Sequence, residues 1–156
     1  MLGERQPEAA GPAFHHVGIQ TRDFTNAVGW YVSFFSAEVA WELTEFSELT
    51  RRRLPGITRL AEVRAGNLRL HLFERGEIGT PSPELSQYQH LCLGVGNVAD
   101  LEAYRDRWNE LWRMGKYSFA VDEPPTEIVV DADGVHSFYT LDPDGLELEF
   151  TYDPAS

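Results

Sequence analysis

The sequence predicts an α+β domain in which two pseudo-symmetric βαβββ modules form one cupped, mostly antiparallel sheet. Three observations lead there. His16 opens the apolar run HVGIQT, which a polar break separates from the amphipathic stretch TNAVGWYVSFFS; His90 opens HLCLGV, and a break at Gly96-Asn97 separates it from VADLEAYRDRWNELW. Each half closes on an alternating strand, LRLHLF around His71 and LELEF around Glu149. The offset is 74 residues between the two histidines and 78 between the two closing strands, so both halves keep one plan.

Taken in order, residues 14–21 alternate with β-branched residues and read as a strand. Asp23 and Thr25 offer capping oxygens for a helix over about 25–36, where Val28, Tyr31, Val32 and Phe35 recur at helical spacing. Residues 38–46 alternate as a second strand, and 47–57, with Arg51-Arg52-Arg53 and Pro55-Gly56, read as a solvated turn. Strands over 58–65 and 67–74 meet at Gly66-Asn67 as a hairpin. The second half repeats this: a strand over 89–95, a helix over about 98–114, and strands near 117–121, 135–141 and 146–152. Pro124-Pro125 and the run Asp142-Pro143-Asp144-Gly145 supply turns, and 126–134 carries no clear pattern. The expected layout is a flexible tail over 1–13 and a single domain over 14–152, with modules 14–75 and 89–152 and a Gly/Pro/Ser linker over 76–88.

Composition narrows the function classes. A chain of 156 residues, 42% hydrophobic and 24% charged, matches one globular domain with a sizeable core. No run approaches the ~20 apolar residues of a membrane span, and the first residues, MLGERQPEAAGPA, lack the apolar segment of a secretory signal. A cytoplasmic protein with no membrane partner is the expectation. Cys92 has no second cysteine to pair with and reads as a small buried apolar residue. The net charge of −12, from 13 basic and 25 acidic residues, argues against nucleic acid.

Strand parity selects the candidate site. Arg69, His71 and Phe73 share the face opposite Leu68, Leu70 and Leu72, while Glu147 and Glu149 share the face opposite Leu146, Leu148 and Phe150. His71 and Glu149 therefore occupy matching slots, as do His16 and His90, whereas His15 points away. A single strand histidine is more often a hydrogen-bonded structural residue than a ligand; four metal-capable side chains at duplicated positions point instead to a metal site inside the cup. Mixed histidine and carboxylate donors favour Fe(II), Mn(II), Zn or Ni over Ca or Mg. Two histidines and one carboxylate with open positions form the usual non-haem Fe(II) set.

The span 14–152 resembles the vicinal oxygen chelate superfamily (glyoxalase, bleomycin resistance and extradiol dioxygenase proteins) through HVGI with Asp23 following, and through DPDGLELEF, similar to that family's DP-x-G-x-x-x-E ending. Glyoxalase-like isomerases usually carry a carboxylate or Gln where His71 stands. The resemblance to type I extradiol dioxygenases implies His16, His90 and Glu149 as Fe(II) ligands, His71 as acid–base catalyst and Tyr139, ten residues before Glu149, as a hydrogen-bonding partner. Two features depart from the larger members: their second module is absent, and TEIVVDADG lacks a histidine they carry there. FHHVGIQT, EFSELT, LPGITRL and LHLFERG resemble single-module members that cleave L-DOPA in antibiotic biosynthesis. The implied partners are a small aromatic substrate, a catechol, and O2, with a homodimer left open. From face and charge, Arg69 or the 51–53 cluster would meet a substrate carboxylate, and Glu147 an ammonium. The alternatives are a glyoxalase-type isomerase or epimerase with His71 as fourth ligand, and a metal-free protein that sequesters an antibiotic.

Overall fold

Period-two alternation gives each module a sheet with one apolar face, and period-3.6 patterning gives it a helix to cover that face. The computed structural model describes residues 15–76, 90–131 and 134–155. The elements are β1 (Val17–Thr21), α1 (Phe24–Phe35), β2 (Glu38–Leu43), α2 (Glu48–Arg53), β3 (Ile57–Ala65), β4 (Leu68–Arg75), β5 (His90–Gly94), α3 (Val98–Arg113), β6 (Val129–Val130), β7 (His136–Leu141) and β8 (Glu147–Tyr152). They form two four-stranded sheets of the same design, β1-β4-β3-β2 and β5-β8-β7-β6. In each, the first strand runs parallel to the last and the remaining pairs are antiparallel. The α+β class and the two βαβββ modules are as expected. The tail and nearly all of the linker lie outside the described residues. Among those described, no helix is long and apolar enough to cross a membrane.

Both long helices are capped by a side chain: at α1 this is the expected Asp23, and at α3 it is Asn97, which the sequence marked only as part of a break. The Asp23 carboxylate accepts from the Asn26 N–H at 3.1 Å, and the Asn97 side chain from the Asp100 N–H at 2.9 Å. Three assignments differ. Residues 48–53 form a short helix rather than a turn, because the Ser47 hydroxyl accepts from the Thr50 N–H and satisfies its open end. No strand forms over 117–121. There Ser118 N–H donates to the Asn26 side chain of α1 and Ala120 N–H to the Pro143 carbonyl in the turn after β7, so this backbone is bound to a helix and a turn and not to a sheet edge. The last sheet position is taken by Val129-Val130, within the segment that showed no pattern, pairing with Ser137 and His136.

Helix α1 buries Phe24, Ala27, Trp30, Tyr31, Phe34 and Phe35, a stripe rotated from the one its valines suggested. The stripe is wide because α1 touches both sheets. Its own sheet contributes Ile19, Val63, Leu70 and Leu72 to the core, and the second sheet contributes Phe138, Leu148 and Phe150, all in one cluster with Leu101, Trp108 and Leu111 of α3. The Phe150 ring lies 5.9 Å from Phe34, 6.2 Å from Phe35 and 4.9 Å from Tyr104. Polar ties follow the same line. Arg22 binds Asp144 at 3.1 Å, and Arg107 donates to the Phe34 carbonyl at 3.2 Å and to the Ser36 hydroxyl at 2.6 Å. The helix-covered faces of the modules thus share one core.

Asp142 anchors this junction. Its Oδ1 accepts from the N–H groups of Asp144 (2.9 Å) and Leu146 (2.7 Å), shaping the Asp-Pro-Asp-Gly turn, and Oδ2 accepts from the Tyr31 hydroxyl at 3.0 Å. Burial, at 1% exposure, pushes its pKa up from 3.8 to about 6. With the folded pKa above the unfolded one, the native state holds the extra proton between these values, so this contribution is present below about pH 4 and is lost as pH rises through 6. We expect the stability advantage of wild type over Asp142→Asn to fall by roughly 2–3 kcal/mol between pH 4 and pH 7, read from urea unfolding at each pH. A difference independent of pH would show that Asp142 is ionised throughout.

Candidate functional site

On the first sheet, register and parity assemble a polar cluster away from the core. Parallel pairing sets Gly18 beside His71, and His16 immediately precedes β1. Leu70 and Leu72 are buried, so His71 projects from the other side of β4. There the His16 and His71 rings stack, with centroids 3.7 Å apart and planes at 14°. Across the hairpin, Glu62 is the register partner of His71. Its Oε2 lies 2.9 Å from His71 Nε2, and its Oε1 accepts from both Nε (2.9 Å) and Nη2 of Arg64. The Trp41 ring lies across His71, with centroids 5.0 Å apart and planes at 74°. Burial, helped by the neighbouring His71 and His15, lowers the His16 pKa and keeps this imidazole neutral, the form that binds metals. The hydrogen bond from His71 lowers the Glu62 pKa against the upward pull of burial, and Arg64 adds to the lowering.

Three of these residues went unmarked in the sequence: Glu62, Arg64 and Trp41. Glu62 had a legible signal. A two-residue turn at Gly66-Asn67 pairs Ala65 with Leu68, and counting back along both strands pairs Glu62 with His71. His15, expected to point away, does not. Its Nδ1 lies 2.9 Å from His16 Nδ1, and its Nε2 accepts from Arg69 Nη1 at 3.2 Å. Lying ahead of β1, His15 is outside the strand whose parity was applied to it.

The second sheet repeats the arrangement with other side chains. His90 pairs with Glu147, while Cys92 and Tyr139 flank Glu149 from either side. His90 Nε2 lies 2.9 Å from Glu149 Oε2, and its Nδ1 lies 3.8 Å from Glu147 Oε1. That Nδ1 is buried and has no hydrogen-bond partner among the described residues. The Tyr139 ring stands edge-on to His90 at 5.9 Å. Burial first, then the Glu149 carboxylate, raises the Tyr139 pKa and keeps the phenol protonated. Cys92 is exposed rather than buried, because it shares the parity of His90 while Leu91 and Leu93 pack on the core.

Among the described residues, His16 meets His71, and His90 meets Glu149, Glu147 and Tyr139, with no hydrogen bond, ion pair or ring contact between the two sets. Among the described residues, no group of three or more His, Cys, Asp or Glu side chains is arranged to hold a metal ion. The sequence suggested that one chain could bring all four donors to one place. The shared core explains the separation, because the modules meet through their helix-covered faces and the donors project from the opposite ones.

The second set fits a metal. His90 Nε2 and Glu149 Oε2, 2.9 Å apart, have the separation of adjacent donors around one ion at roughly 2.1 Å from each. The orphaned Nδ1 is the atom through which a metal-bound histidine donates to an orienting carboxylate, and Glu147 is at hand.

The fold is that of the glyoxalase, bleomycin resistance and dioxygenase proteins. The chain is similar in structure to a glyoxylase/bleomycin resistance protein/dioxygenase domain from Frankia sp. EAN1pec (TM-score 0.70, 18% identity, 92% of this chain and 93% of that one). It is also similar to lactoylglutathione lyase from Agrobacterium tumefaciens (TM-score 0.61, 18% identity, 94% and 97% covered). A third likeness is to the fosfomycin resistance protein FosX from Listeria monocytogenes, complexed with Mn(II) and sulfate (TM-score 0.58, 12% identity, 92% and 94% covered). No protein-family model matches the sequence, and no curated protein matches it.

Proposed function

We propose that this protein is an Fe(II)-dependent extradiol dioxygenase that opens a catechol ring beside its diol, with L-DOPA as substrate and a ring-opened semialdehyde as product. The observation that carries the reading is the setting of His71. It stacks on His16 and engages Glu62 through Nε2. Near-parallel rings 3.7 Å apart cannot both aim in-plane lone pairs at one ion when each metal–imidazole bond is roughly 2.0–2.1 Å. A histidine beside a two-histidine, one-carboxylate set, and outside it, is what acid–base chemistry on a bound diol requires.

His16, His90 and Glu149 would hold the iron. Because each chain carries His16 on one face and His90 with Glu149 on another, the set is completed in a homodimer, His90 and Glu149 coming from one chain and His16 from the other. When bound, Fe(II) supplies chelation of the two catechol oxygens, a lowered catechol pKa and activation of O2. His71 takes the hydroxyl proton and returns it later, and Tyr139 orients the substrate by hydrogen bonding. Arg69 and Glu147 are the counter-charges for the carboxylate and ammonium of L-DOPA, whose desolvation only paired charges offset.

After anaerobic reconstitution with Fe(II), O2 consumption is expected to depend on added catechol and to accompany a yellow product. Iron retained with no O2 uptake across a panel of catechols would overturn the reading. It would favour the metal-dependent isomerase class, toward which the likeness to a lactoylglutathione lyase points.

A further inference from the structure

We infer that Glu62 is the positioning residue of His71, holding its Nε2 proton so that Nδ1 is the atom exchanging protons with substrate. This rests on the acid–base role proposed above. Glu62 projects from β3, an inner strand of its sheet, on the donor side, yet its side chain is only 3% exposed. The two oxygens are divided. Oε1 receives both Arg64 bonds, while Oε2 faces His71 Nε2 at 2.9 Å. A salt bridge serving stability alone would need only the first of these. An ionised carboxylate only accepts hydrogen bonds, so the nitrogen facing it carries the proton. A neutral His71 then has its lone pair on Nδ1.

The ring is also held in direction. Glu62 fixes one edge, Trp41 approaches it at 5.0 Å, and His16 covers a face at 3.7 Å. In the forward step the substrate O–H bond breaks, its electron pair stays on the oxygen, and the proton goes to Nδ1. The resulting imidazolium is stabilised through Nε2–H by Glu62, and the proton returns from Nδ1 in the later step. Arg64 keeps Glu62 in place and ionised.

The test has two independent arms. The first is ¹⁵N NMR of the metal-free protein, with the His71 resonances assigned by their absence in His71→Gln. The expected result is a hydrogen-bonded Nε2–H, protected from exchange, with an unprotonated Nδ1; the protection is lost in Glu62→Ala and kept in Glu62→Gln, whose amide oxygen still accepts. A proton on Nδ1, or the same Nε2–H protection in Glu62→Ala, overturns the proposal whatever the reaction proves to be. The second arm is steady-state kinetics of the iron-loaded protein. Glu62→Ala should lose about 10–100-fold in kcat with KM little changed, as outer partners of site histidines do, and Glu62→Gln should recover most of it. An unchanged kcat in Glu62→Ala sinks the positioning role while leaving the dioxygenase reading intact; if no variant or wild type cleaves catechol, the NMR arm decides alone.

Discussion

Glu149→Ala and His16→Ala are each expected to abolish Fe(II) binding when purified alone, since each removes one of the three protein bonds proposed for the ion. Mixed and refolded together, the two inactive proteins should regain activity. A heterodimer has one site missing both residues and one with His16, His90 and Glu149 intact. In a two-fold dimer formed at random from equal amounts, about a quarter of the wild-type sites return. Iron content and O2 uptake of the mixture measure this directly. A mixture as inactive as its components would require both halves of the ligand set to come from the same chain. Full iron retention by either variant alone would remove that residue from the set. The size and sign of the effect follow from the one-chain geometry, in which His90 and Glu149 stand at ligand spacing while no third donor joins them among the described residues.

His71→Ala should behave differently. It is expected to keep its iron and to lose roughly 10²–10⁴-fold in turnover, the range of a general acid–base. The stacked His16–His71 pair leads to this separation, because a ring placed face to face on a ligand is not placed to share its ion. Metal analysis beside kcat decides it. Parallel loss of iron and activity would make His71 a fourth ligand and move the protein into the isomerase class.

Much of this was legible before folding. Alternation around His71 and Glu149 placed both on the polar faces of their strands, and they lie there beside Glu62 and Tyr139. Asp23 caps α1 as read, because capping needs only residues three apart; the same signal at Asn97, which caps α3, was there to be read and went unmarked. Errors came where the deciding contact was distant. Residues 117–121 read as a strand but bond to Asn26 and Pro143, and Val129-Val130, too short to show a period, found an edge on β7. Cys92 is apolar by composition but shares the parity of His90, and it is exposed on that face.

By itself the sequence determined the two βαβββ modules, the apolar side of each sheet and which histidines and carboxylates stand on the polar faces, because all of these follow from periods of two and 3.6 along a local stretch. Only the tertiary structure decided which faces meet. Joining two such modules edge to edge or helix side to helix side buries the same apolar positions, so hydrophobic pattern cannot choose between them. The choice lies with α1, whose Phe34 and Phe35 reach Phe150 of the other sheet while Tyr31 reaches Asp142. Those contacts join residues more than a hundred positions apart. They seal the helix-covered faces into one core and leave His16 with His71, and His90 with Glu149, on the faces turned outward.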